Sequence, residues 1–101
     1  MTLEEFQRSG NEPPGLTPAL RALWHEARGQ WEAAHQIAQE DDSRDAAWVH
    51  AYLHRKEGDV SNARYWYARA GRAAYLGSLE EEWRDIVRSL LALRVPDKEQ
   101  M

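Results

Sequence analysis

The 101-residue chain has no cysteine, which rules out disulfides, thiolate zinc centres and cysteine nucleophiles. Any metal would have to be held by histidine and carboxylate groups. No apolar run approaches the roughly 18 residues that a membrane span requires. The opening Met1-Thr2-Leu3-Glu4-Glu5-Phe6 is acidic where a signal peptide would be basic and then greasy. These absences predict a cytoplasmic protein with no membrane partner. A basic block is missing as well: the net charge is -4 and the pI about 5.5, so nucleic acid, whose affinity rests on Lys and Arg neutralising phosphates, is not an expected partner. Alternating apolar patterns, Asn-Gly turns and β-branched runs are lacking too, and a sheet has no support. Leu, Ile, Val and Phe are scarce, but five Trp and four Tyr, each able to bury roughly 150 Å² or more, supply apolar surface for one folded domain.

What is present is a succession of helix starts and stops. Gly10-Asn-Glu-Pro-Pro-Gly15 breaks helices and sets residues 1–15 apart as an N-terminal arm, in which Thr2 with Glu4 and Glu5 can cap one or two turns. Thr17 offers an N-cap with Pro18 at the first helical position, predicting a helix over 18–28; Gly29 ends it, and a second follows over 31–40. The polar run 40–45 caps a third helix reaching Glu57, and Gly58 stops it. Ala63, Trp66, Tyr67 and Ala70 carry the buried stripe of a fourth helix, and Ser78 with Glu81 forms a capping box for a fifth that Pro96 stops. The expectation is an all-α domain over residues 16–95 with about five helices in antiparallel hairpins, followed by a frayed tail, 96–101.

Gly29-Gln30-Trp31-Glu32-Ala33-Ala34 aligns with Gly58-Asp59-Val60-Ser61-Asn62-Ala63, an internal repeat at an offset of 29 residues. With Glu57-Gly58-Asp59 as the inter-helix turn and Ala63, Tyr67 and Ala70 as small, aromatic and small contacts, this pattern resembles the tetratricopeptide repeat. It departs from that family in its offset, normally roughly 34, in having no Pro at the end of either copy, and in placing His50 and His54 at two inward positions. The run from Ala47 to Asp59 is also similar to a stretch of small bacterial proteins, a likeness that implies no activity. The tetratricopeptide resemblance implies a non-catalytic module that binds a protein or peptide, and Tyr65-Trp66-Tyr67, of which Tyr65 must face away from the core stripe, predicts self-association as a homodimer.

Two constellations could carry chemistry. On the face that would be the concave groove of a tetratricopeptide array, Trp48, Tyr52, Arg55 and Lys56 set aromatic surface beside two cations, suited to an anionic peptide end. His50 and His54 lie four apart on one helical face, a spacing that lets two imidazoles reach one ion. The repeat offset places His25 at the position of His54, which nominates His25, His50 and His54 as ligands of a divalent transition metal, or as an acid-base site, with His35 and Glu57 as further candidates. The structural alternative is that these histidines sit half-buried between helices, hydrogen-bonded and stacked on Trp rings. No catalytic residue is nominated: Ser43 and Ser61 read as caps, Asp41 and Asp42 lie in a solvated loop, and a Gly-rich phosphate loop is missing. The leading expectation is accordingly an interaction module with no cofactor.

Overall fold

Among the described residues the chain forms six helices, most of them begun or ended by a local capping signal. The computed structural model describes residues 1–94, and its elements are α1 (Leu3–Arg8), α2 (Pro18–Ala27), α3 (Trp31–Gln39), α4 (Arg44–Glu57), α5 (Val60–Ala70) and α6 (Leu79–Arg94). The expected tail, 96–101, lies outside the described residues. Thr17, Ser43 and Asp59 each accept a backbone N–H from three residues on, which satisfies a donor that the first turn leaves orphaned. Ser78 and Glu81 close a reciprocal capping box on α6. Gly58 ends α4 at φ 90°, a left-handed conformation open to glycine at no steric cost. Among the described residues no helix is long and apolar enough to cross a membrane.

Adjacent helices pack in pairs, α2 on α3 and α4 on α5, and α4 also touches α2, α3 and α6. That hub position explains why every residue from Ala46 to His54 is buried: a helix surrounded by neighbours has no solvent stripe. Alanines make the close approach possible. Ala34 and Ala38 of α3, Ala46, Ala47 and Ala51 of α4, and Ala63 and Ala70 of α5 are all buried, so neighbouring axes are not held apart by long side chains.

Residues 1–15, read from the sequence as an arm, contribute to the same core. Thr2 and Glu5 form a capping box on α1, whose Leu3 and Phe6 are buried, Phe6 lying 5.9 Å from the Trp83 ring of α6. The sixth helix beyond the expected five is this short element. Its formation follows from burial of Phe6, since a six-residue helix has too few hydrogen bonds to stand alone in water.

Candidate functional site

Burial of α4 on several sides carries two polar faces into the interior. On the first, His50 and His54 stand one turn apart with ring centroids 4.9 Å from each other. From α3, His35 reaches across, its ring 4.6 Å from that of His50 and 5.1 Å from that of His54. The Nε2 atoms of His35 and His50 are 3.0 Å apart, and the trio offers three nitrogen atoms all within 4.8 Å of one another. Two tryptophans wall the cluster. Trp31 stacks on His35 at 4.9 Å, fixed by its indole N–H donating to the Leu53 carbonyl, and Trp66 stacks on His50 at 3.8 Å.

Protonation follows from the partners. His54 Nδ1 lies 2.7 Å from Glu57 Oε2; an ionised carboxylate only accepts, so Nδ1 carries a hydrogen. His50 Nδ1 is buried and has no hydrogen-bond partner among the described residues, an uncommon state for a polar atom at 97% burial of its residue. Desolvation, then the neighbouring His35 and His54, push His50 down to about 4. His35 is lowered as well, first by desolvation and then by His54, against an opposing pull from Glu57. Both rings are therefore neutral at pH 7, the form in which imidazole binds a metal. The one close pair, His35 with His50, also has a fitting separation. With metal–nitrogen bonds of about 2.0–2.1 Å, neighbouring ligand atoms stand about 2.9–3.4 Å apart between square and tetrahedral geometry, which brackets the His35–His50 separation.

His25 does not join this cluster, contrary to the repeat-based expectation. Its Nδ1 faces Gln30 Oε1 at 2.6 Å and its Nε2 faces Glu12 Oε1 at 2.8 Å; that contact, with Arg21 beside it, holds the Glu12 carboxyl below its usual value. The reason is geometric. Equivalence within a repeat gives two residues the same local setting, one repeat apart, whereas α3 is the direct neighbour of α4 and brings His35 instead.

The second polar face of α4 holds the four residues expected in a peptide groove, and they do not form an open surface. Trp48 is buried beneath the Arg72 guanidinium, 3.4 Å above its ring. Tyr52 is buried and donates to Glu26, to which Lys56 is also paired, and Arg55 bonds Glu82 Oε1 at 2.8 Å and the Gly77 carbonyl. Tyr67 donates to the other oxygen of Glu82 at 2.6 Å. Burial, and then the adjacent carboxylate, raise both tyrosine hydroxyls well above their ordinary value. Beside this face lies an open cleft of about 410 Å³, lined in part by Glu26, Tyr52, Lys56, Trp83 and Arg84, whose cations are already paired with Glu26 and Glu80.

Sequence reasoning missed Glu26 and Glu82 as buried partners. A signal existed: Glu82 falls in register with Leu79, Trp83, Ile86 and Leu90 on the apolar stripe of α6, where a carboxylate is out of place unless something meets it.

Comparison with known proteins adds no identity: the chain matches no family model, no curated protein and no solved structure.

Proposed function

We propose that this protein binds a late first-row divalent transition metal through His35, His50 and His54. The observation that carries the reading is the convergence of three imidazoles from two helices, their ligand atoms within 4.8 Å of one another. An all-nitrogen set suits zinc, copper or nickel, and it suits magnesium, calcium or manganese poorly, since those ions prefer carboxylate and carbonyl oxygen. Two ligands come from α4 and one from α3, so the ion would cross-link the pair α2/α3 to the pair α4/α5. We read these pairs as tetratricopeptide-like hairpins, a reading supported by the buried Ala63, Tyr67 and Ala70 of α5 and by the Gly58 turn. The metal then acts as a clamp between successive hairpins rather than as part of a peptide groove.

The test is thermal unfolding of chelator-treated protein at pH 7 with and without zinc or nickel. Free metal at a hundredfold excess over its Kd should add about 2.7 kcal/mol of stability. For a domain of this size that raises the midpoint by about 10–20 °C. His35→Ala and His50→Gln should each remove the response, while His25→Gln should keep it. An unresponsive wild type, or a response lost in His25→Gln and retained in His35→Ala, would sink the proposal.

A further inference from the structure

We infer that Glu57 is the positioning residue of the histidine site: by accepting the Nδ1 hydrogen of His54 it reserves Nε2 of that ring for a metal. The inference rests on the metal reading above and adds to it what orients the ligand.

Glu57 stands where helix electrostatics does not want it. It is the last residue of α4, and the carbonyls left unpaired at a helix C-terminus favour cations there, as the preceding His54, Arg55 and Lys56 illustrate. A carboxylate in that place needs a compensating contact. Arg55 and Lys56 do not provide one, because their angular positions send them across α4 to Glu82 and Glu26. Glu57 instead lies one turn after His54, on the histidine side, and meets its Nδ1 at 2.7 Å. A local rule broken with a single compensating partner points to a role for that partner. A carboxylate behind a ligating histidine fixes the tautomer, orients the ring and strengthens its remaining nitrogen as a donor. The placement serves capture too. Glu57 is exposed at the rim while His54 is buried, and Asp59 stands with them in one cluster, so an approaching cation meets negative charge before it meets the imidazoles.

The experiment has two independent arms. In metal-free protein at pH 7, ¹⁵N–¹H correlations of the histidine rings report the His54 tautomer. The wild type should show Nδ1–H, and Glu57→Ala should shift the population toward Nε2–H. In the second arm, zinc affinity is measured by competition with a chromophoric chelator. Glu57→Ala should weaken binding about 10- to 100-fold, and Glu57→Gln, which keeps an acceptor oxygen, should recover part of the loss. Asp42→Ala, in the exposed loop before α4, should change neither readout. Wild-type His54 found as Nε2–H, or Glu57→Ala binding zinc as tightly as wild type, overturns the inference. A wild type that takes up no zinc overturns the metal reading itself, and the tautomer arm then decides separately whether Glu57 orients the ring.

Discussion

The two polar faces of α4 belong to one helix and are built on opposite terms. On the carboxylate face each charge has its counterpart: Glu82 takes Arg55 and Tyr67 on separate oxygens, and Glu26 takes Lys56 and Tyr52. The histidine face gathers three bases around one shared contact, with an acid at its edge and one buried nitrogen unpartnered. A paired network of this kind can fix the packing of α2 and α6 on α4. The unpartnered nitrogen costs stability in the free protein, and a metal that binds only the folded state adds stability by mass action. In this molecule Trp48 and Tyr52 are buried and the two cations of that face are paired with Glu82 and Glu26, while the histidine face keeps its imidazoles grouped on the other side of the helix.

The largest effect that would challenge this contrast is loss of the closed face. Glu82→Ala leaves the buried Tyr67 hydroxyl without its acceptor and takes from the half-buried Arg55 its carboxylate partner, and breaking a buried pair in this way costs up to about 3–5 kcal/mol. Urea unfolding should show it as a shift in midpoint at unchanged m-value. Glu26→Ala should cost less, because its partner Lys56 can turn to solvent, its side chain being 44% exposed. Equal losses would mean that the two carboxylates are not distinguished by burial of their partners.

Acid probes the unclosed face. His50 is held near 4 in the folded protein, while in the unfolded chain it titrates near about 6.5. Below that value the unfolded state binds the proton and the native state does not, so stability falls as pH drops from about 6.5 to about 4. The loss reaches about 3 kcal/mol across that window, with His35 acting in the same direction and His54 and Glu57 as the facing groups. Metal-free protein followed by circular dichroism should show this slope, and His50→Gln should flatten it. A slope unchanged in the variant would place the acid sensitivity elsewhere.

Smallest is a packing effect that touches neither polar face. Ala63 is a buried contact of α5 and Ala68 is exposed on the same helix. Ala63→Leu should overpack the α4/α5 pair and cost about 1–3 kcal/mol, and Ala68→Leu should be nearly silent. Matching urea midpoints for the two variants would show that the small residue is not what sets the approach of α5 to α4.

Much of the fold is legible in the chain because caps and stops act within a few residues. Thr17-Pro18, Ser43, Ser78 with Glu81, and the glycines at 29 and 58 mark helix ends that the structure reproduces to within one or two positions, whereas Ser61, read as a cap, lies inside α5, which Asp59 caps instead. The pairing of His50 with His54 was readable for the same reason: a spacing of four is a property of one helix. The third member was not. Choosing His35 over His25 depends on which helix packs against α4 and which side it turns, and no periodicity within α2 or α3 contains that. The pairing of the expected groove's cations has the same origin, because the partners of Arg55 and Lys56 lie 27 and 30 residues away.

Residue order by itself thus determined the helices, their ends, the exclusion of thiol chemistry and the histidine spacing, all consequences of bonds and sterics among near neighbours. Packing decided the rest. Burial of α4 among four other helices settled which polar groups found partners and which did not, since the cost of an unpaired group arises only when water is removed from around it.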